Sequence, residues 1–200
     1  MIKAVLFDLD GTIINSEEGI TKCVQYALSC FGIEEPDRKK LLYFIGPPLD
    51  PVFREKYGFD ADKAWQAVLK YRERFDKTGI FECELYEGVA DTIRKLKEAG
   101  CVIALASSKP ETACRRILEH FSLTPYFDEI VGSTLDGSIS TKQQVLEELG
   151  RRMEHMQITK DQMCLIGDTE YDVIGADQFG IRCVGVSYGF GKRELLERAG

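Results

Sequence analysis

The sequence lacks any apolar run of the roughly 20 residues that a membrane-spanning helix needs. It also lacks a long cluster of basic residues. The chain has 26 Lys and Arg and 33 Asp and Glu, so its net charge is −7. These absences argue against nucleic-acid and membrane partners. The first apolar run begins at Ile2, so we expect no signal peptide. We therefore expect a soluble cytoplasmic protein.

The seven cysteines include no Cys-x-x-Cys pair and are odd in number. Most of them lie within apolar runs, as Cys101 and Cys164 do. We interpret them as small buried hydrophobic residues in a reducing compartment rather than as a disulfide scaffold. His120 and His155 match no catalytic motif, so we expect no histidine general base.

Short apolar runs recur along the chain, and each ends in small or acidic residues. They cover residues 2–7, 101–107, 129–133, 163–167 and 181–187. Such runs, rich in Val and Ile, are typical of parallel strands that are covered on both faces. Helical patterns separate them at 88–99, 110–121, 141–150 and 171–179. The alternation predicts an α/β fold with a doubly wound, Rossmann-like parallel sheet.

The interval from 16 to 85 interrupts this alternation because it contains no convincing strand. Its apolar spacing predicts four helices, which begin near Ile20, Asp37, Pro51 and Asp62. About 70 residues are too many for an ordinary loop. We therefore expect an α/β core formed by 1–15 and 86–200 and an inserted α-helical cap at 16–85. Trp65 and the aromatic residues around it are expected in the core of the cap.

Polar side chains follow the apolar runs, at the sheet edge where ligands bind in open parallel sheets. They are Asp8, Asp10, Ser107, Ser108, Asp168 and Asp172, and Lys142 opens a predicted helix. Two carboxylates held close together raise one another's pKa. A divalent cation would relieve that cost, and oxygen ligands suit Mg²⁺. This set of residues predicts a magnesium-dependent enzyme that forms a covalent aspartyl intermediate.

Four pieces of sequence occur in a characteristic order. They are FDLDGTI at 7–13, ASSKPE at 106–111, Lys142, and GDTEYD at 167–172. In this order the chain resembles the haloacid dehalogenase-like hydrolase superfamily over nearly all of its length. Within that superfamily it resembles the phosphoglycolate phosphatase-like phosphatases that carry a helical cap.

The resemblance implies a role for each matching residue. Asp8 would attack phosphorus, and Asp10 would protonate the leaving oxygen and later take a proton from water. Ser107, Ser108 and Lys142 would bind the phosphoryl group. Mg²⁺ would be held by Asp8, Asp168 and Asp172, with Asp10 contributing its backbone carbonyl.

Lys109 and the loop at 45–49 can each be interpreted in more than one way. Lys109 could contact the substrate in place of Lys142. The loop at 45–49, with its Pro47-Pro48 pair, resembles a cap loop that approaches the active site, but it fits a rigid linker between two helices equally well.

Related chains commonly continue beyond a helix such as 192–199, so we expect part of the sheet to be exposed here.

The expected function is Mg²⁺-dependent hydrolysis of a small phosphate monoester, phosphoglycolate or a similar metabolite. A 5′-nucleotidase and a β-phosphoglucomutase-like sugar phosphomutase are the alternatives. Asp10 counts against a dehalogenase, because dehalogenases of this superfamily generally lack the second acid of the first motif. The complete acidic set counts against a catalytically silent binding protein.

Overall fold

The computed structural model describes all 200 residues and divides into two compact units. One unit comprises residues 1–15 and 85–200, and the other comprises residues 16–84. The strands are β1 (Ala4–Phe7), β2 (Ile14–Asn15), β3 (Glu84–Leu85), β4 (Val102–Pro110), β5 (Glu129–Ser133), β6 (Met163–Gly167) and β7 (Arg182–Gly185). The helices are α1 (Glu17–Ser29), α2 (Leu49–Tyr57), α3 (Ala61–Phe75), α4 (Val89–Glu98), α5 (Glu111–His120), α6 (Lys142–Met153), α7 (Glu170–Phe179) and α8 (Arg193–Ala199).

The first unit is built on a five-stranded sheet in the order β5-β4-β1-β6-β7. All of its neighbouring strands are parallel. Phe7, the last residue of β1, pairs with Leu105 of β4 on one side and with Ile166 of β6 on the other. Residues that follow β1 therefore leave the sheet at its centre. This sheet with its flanking helices confirms the predicted α/β fold class.

The sheet is parallel because its central strands are apolar on both faces and its strands alternate with amphipathic helices. The edge strand β7 differs, since most of its residues are exposed. All four residues of β1 are buried. One hydrophobic cluster joins the sheet to α6 and α7, and it includes Leu6, Val131, Leu146, Leu165 and Ala176. β4 continues to Pro110, three residues beyond the expected strand.

The second unit is helical, and it contains α1, α2 and α3 together with 3₁₀ helices at Arg38–Phe44 and Gly79–Phe81. Its interior is aromatic, as the 4.8 Å distance between the ring centroids of Phe44 and Phe53 illustrates. The segment expected as a helix from Asp37 is a 3₁₀ helix, with the amide of Lys40 bonded to the carbonyl of Asp37.

The expectation for Trp65 was wrong. Its side chain is 46% exposed on α3, and the Arg72 guanidinium lies 5.4 Å from its ring centroid. The buried face of α3 is formed instead by residues at helical spacing, among them Ala64, Val68 and Tyr71.

Across both units, no helix combines the length and the hydropathy that a membrane crossing requires.

Candidate active site

Asp8 is the first residue beyond β1, and it is only 8% exposed. Its amide continues the sheet ladder to the carbonyl of Ile166 at 2.9 Å. Its Oδ1 accepts a hydrogen bond of 2.7 Å from Lys142 Nζ, and its Oδ2 makes no hydrogen bond. Burial raises the pKa of Asp8 to about 7; Lys142 opposes the increase and Asp172 adds to it. The structure thus places one carboxylate oxygen in a fixed contact and leaves the other without a partner.

Lys142 is the first residue of α6, and a capping box between Thr141 and Gln144 fixes this end of the helix. The side chain is buried beside Gly175, where a Cβ would lie 2.6 Å from Lys142 Cγ. Its Nζ donates to the Ala106 carbonyl at 2.7 Å as well as to Asp8. Burial alone would lower the pKa of Lys142, but the charges of Asp172 and Asp8 raise it above its ordinary value.

Asp172 and Asp168 complete a buried acidic group. Asp172 lies in the first turn of α7, where its Oδ2 accepts from the Thr169 amide at 3.0 Å. Its Oδ1 is 2.8 Å from Lys142 Nζ, which is an ion-pair distance without hydrogen-bond geometry. Asp168 is fully buried. Burial raises the pKa of Asp168 to about 6, although the Phe190 amide lowers it in part.

The residues of this group fit a divalent cation. Carboxylate oxygens of Asp8, Asp168 and Asp172 all lie within 4.8 Å of one another. One lysine faces three carboxylates, so the ionised group carries surplus negative charge. Asp172 Oδ1 is buried, and its partner Lys142 Nζ, at 2.8 Å, is shared with Asp8 Oδ1, so the buried carboxylates would gain from a further cation. Hard oxygen donors in this arrangement are typical of Mg²⁺ sites.

The Asp10 carboxylate lies outside that group. Its Oδ2 is paired with Lys109 Nζ at 3.1 Å, and both side chains are largely buried. Its Oδ1 is buried without a hydrogen-bond partner. The sequence-based alternative that gave Lys109 a substrate contact did not anticipate this ion pair.

Ser107 and Ser108 were expected to follow the strand, but they lie within β4, whose pairing with β5 is irregular between Ala106 and Pro110. Ser107 is 1% exposed, and its Oγ accepts a hydrogen bond of 3.3 Å from the Lys109 amide. Ser108 is partly buried. The Ala106 carbonyl, one residue earlier, binds Lys142, so this strand end also reaches the acidic group.

Sequence reasoning missed several contacts of Asp168. The amide of Phe190 donates to Asp168 Oδ2 at 2.7 Å, and Thr12 Oγ1 donates to Oδ1 at 3.4 Å. The contact from the Phe190 amide could have been suspected from the sequence, because Gly189 and Gly191 flank this residue and paired glycines suggest close backbone packing.

Comparison with known proteins identifies the family that the chain resembles. Residues 5–186 match the family described as haloacid dehalogenase-like hydrolase. The crystal structure of a predicted phosphatase from Clostridium acetobutylicum is 46% identical, with a TM-score of 0.92 and coverage of 100% of this chain and 91% of that chain.

Two curated relatives carry different names. The 5′-nucleotidase of Pseudomonas aeruginosa is 41% identical over 192 residues, which represent 96% of this chain and 86% of that protein. The tyrosine-protein kinase PtkA of Mycobacterium tuberculosis is 31% identical over 194 residues, which represent 97% of this chain but 65% of the kinase. Similarity over nearly the whole chain thus extends to proteins that are named for hydrolysis and for transfer of phosphoryl groups.

Proposed function

The chain belongs to the haloacid dehalogenase-like hydrolase family and is a phosphatase, and we propose that it hydrolyses small phosphate monoesters in a Mg²⁺-dependent reaction through an aspartyl phosphate. The observation that carries this proposal is the environment of Asp8. Its carboxylate is buried beyond the central strand, and Lys142 holds Oδ1 at 2.7 Å. Oδ2 has no partner, so it is the oxygen available for attack.

The first step forms a bond between Asp8 Oδ2 and phosphorus while the bond from phosphorus to the ester oxygen breaks. Asp10 would enter this step in its protonated form and give that proton to the departing oxygen, and Lys109 would stabilise the carboxylate that remains. In the second step water attacks phosphorus, Asp10 takes a proton from that water, and the bond to Asp8 breaks. Inorganic phosphate leaves, and both carboxyl groups return to their starting states. Two displacements replace one difficult step, which is the advantage of a covalent intermediate.

Three carboxylates would hold the metal: those of Asp8, Asp168 and Asp172, together with the backbone carbonyl of Asp10. Bound Mg²⁺ screens the charge of the nucleophile and of the phosphoryl group and orients both. The 4.8 Å spacing of the carboxylate oxygens supports this assignment.

The remaining polar residues would bind the phosphoryl oxygens. Ser107 would donate its hydroxyl hydrogen, with help from the amide of Ser108. Lys142 would offset negative charge on both Asp8 and the phosphoryl group, since phosphoryl transfer depends mainly on positioning and charge stabilisation. Lys109 would position the Asp10 carboxyl group, whose Oδ2 lies 3.1 Å from Lys109 Nζ.

The substrate is proposed to be a small phosphorylated metabolite. The relative named 5′-nucleotidase, at 41% identity, favours a nucleoside 5′-monophosphate as the first candidate. Phosphoglycolate, favoured by the motif resemblance, is the second.

All seven cysteines are free, which supports a reducing, cytoplasmic location. The assignment of residues 16–85 as a substrate-selecting cap stays a prediction.

Phosphate release from adenosine 5′-monophosphate, phosphoglycolate, glucose phosphates and p-nitrophenyl phosphate tests the proposal, with Mg²⁺ or with EDTA. We expect release with Mg²⁺, none with EDTA and none from Asp8→Asn. Acid quenching with ³²P-labelled substrate should trap label on the wild-type chain and none on Asp8→Asn. Asp177→Asn, at an exposed position of α7, is the matched control and should behave as wild type.

Several outcomes would contradict the proposal. Full Mg²⁺-dependent turnover by Asp8→Asn would exclude Asp8 as the nucleophile. Interconversion of glucose phosphates without release of phosphate would identify a mutase. Transfer of label to a tyrosine peptide with no release of phosphate would identify a kinase instead of a phosphatase.

A further inference from the structure

The segment Tyr188–Gly191, between β7 and α8, encloses the side chain of Asp168. The amide of Phe190 donates to Asp168 Oδ2 at 2.7 Å, and the amide of Gly191 approaches the same oxygen at 3.4 Å. Together with the Thr12 hydroxyl at Oδ1, these donors occupy three of the roughly four acceptor positions of a carboxylate. At least one lone pair remains for a cation.

Glycines make this close approach possible. A Cβ at Gly189 would overlap Asp168 Cβ and Oδ2, and a Cβ at Gly191 would overlap the Asp168 carbonyl. Gly11, on the loop after β1, has a φ of +84°, and a Cβ there would overlap the Asp168 carboxylate. The side chain of Asp168 therefore lies between two backbone segments that carry no side chains at the points of contact.

Tyr188 connects this segment to the loop after β1. Its hydroxyl donates to the Thr12 carbonyl at 3.0 Å, while the hydroxyl of Thr12 donates to Asp168. The Tyr188 ring also packs on Tyr86, with 4.7 Å between the ring centroids. The orientation of Asp168 thus depends on hydrogen bonds from both loops.

We propose that Tyr188–Gly191 is a positioning segment for the metal site, which holds the Asp168 carboxylate in the orientation that binds a divalent cation. The proposal rests on the cation of the proposed function. A buried carboxylate beside two others is repelled by them and gains by rotating away. The amides of Phe190 and Gly191 bind its Oδ2 and hold it in place, as outer-shell groups do for metal ligands.

Binding of Mn²⁺ alone to the metal-free protein, followed by electron paramagnetic resonance, tests this proposal without any turnover. Gly189→Ala inserts a Cβ into Asp168, and we expect the affinity to fall about 10- to 100-fold. Gly185→Ala is the matched control, because its Cβ would make ordinary contacts of 3.6 Å with Leu196. We expect that variant to bind Mn²⁺ within about twofold of wild type, since it leaves Asp168 untouched.

Tyr188→Phe is the second variant, because it deletes only the hydroxyl and keeps the ring contact. We expect about a fivefold loss of Mn²⁺ affinity, which corresponds to one hydrogen bond. Tyr171→Phe, an exposed tyrosine of α7, is its control and should bind as wild type. If Gly189→Ala does not fold, Tyr188→Phe decides the test.

The outcomes separate this proposal from the proposed function. If Asp168→Asn abolishes Mn²⁺ binding while folded Gly189→Ala and Tyr188→Phe bind as wild type, the positioning role is wrong and the metal site stands. A lower melting temperature with unchanged affinity would also overturn the positioning role, because the segment would then be merely structural. If the wild type itself binds no Mn²⁺, both proposals fail.

Discussion

Replacing Asp8 with Asn should stabilise the metal-free protein while it abolishes catalysis. The first reason is burial, which deprives the ionised carboxylate of water and is the largest cause of its raised pKa. The charges of Asp172 and Asp168, whose carboxylate oxygens lie within 4.8 Å of those of Asp8, add to it; at an effective dielectric constant of about 20, each such pair repels by about 3.5 kcal/mol or more. The attraction of Lys142 opposes these effects without cancelling them.

The magnitude follows from the pKa of Asp8, which is raised from 3.8 to about 7. Each of these roughly 3 units is worth about 1.4 kcal/mol, so ionised Asp8 costs about 4 kcal/mol at pH 8. The attraction of Lys142 for the ionised form is already contained in this shift, so an amide, which stays neutral, recovers the whole cost. The expected gain is about 4 kcal/mol, which corresponds to a rise in Tm of about 8–16 °C for a chain of this size.

The sign of the pH dependence is fixed by the direction of the shift. Between pH 3.8 and about 7, native Asp8 keeps a proton that the unfolded chain releases. The contribution of this group to the free energy of unfolding therefore falls as the pH rises through that window. Below pH 3.8 both states are protonated, so the advantage of Asp8→Asn disappears there and is complete only above about pH 7.

Thermal melting by circular dichroism at pH 4 and pH 8, with EDTA or Mg²⁺, measures these effects. Mg²⁺ at about 100 times its Kd should add about 2.7 kcal/mol to the wild type and less to Asp8→Asn, which reduces the advantage of the variant. Asp177→Asn should melt as wild type under all conditions. A lower Tm for Asp8→Asn in EDTA at pH 8 would refute the view that the buried, ionised Asp8 carboxylate destabilises the metal-free protein.

Three further changes test the neighbouring residues. Lys142→Met leaves the carboxylates beside it without a counter-charge and should cost about 3–5 kcal/mol in urea unfolding with EDTA; an unchanged midpoint would contradict the buried ion pairs. Asp10→Asn should lower kcat by about 10²–10⁴-fold on adenosine 5′-monophosphate, whose leaving oxygen needs a proton, and much less on p-nitrophenyl phosphate; equal losses would exclude a general acid. Gly167→Ala places a Cβ against Asp172 and should cost about 1–3 kcal/mol in the same unfolding assay, whereas a loss no larger than that of Gly185→Ala would contradict the close packing.

Side-chain patterns were sufficient to predict the sheet and its acidic edge. Apolar runs specify strands that are buried on both faces, and the carboxyl ends of parallel strands meet at one edge. Asp8, Asp168 and Asp172 therefore converge as the order of the motifs predicts. The same patterns did not distinguish a 3₁₀ helix from an α-helix at 38–44, because both bury residues three or four positions apart.

The contacts that the sequence did not predict are mostly backbone contacts. The Phe190 amide binds Asp168 whatever side chain residue 190 carries, so no residue type signals that bond. The sequence indicates this bond only indirectly, through Gly189 and Gly191. A Cβ at either glycine would overlap Asp168. Such a pair is ambiguous in a sequence, because glycines serve turns equally often. A positioning segment of this kind becomes recognisable only when the fold shows which carboxylate the missing side chains make room for.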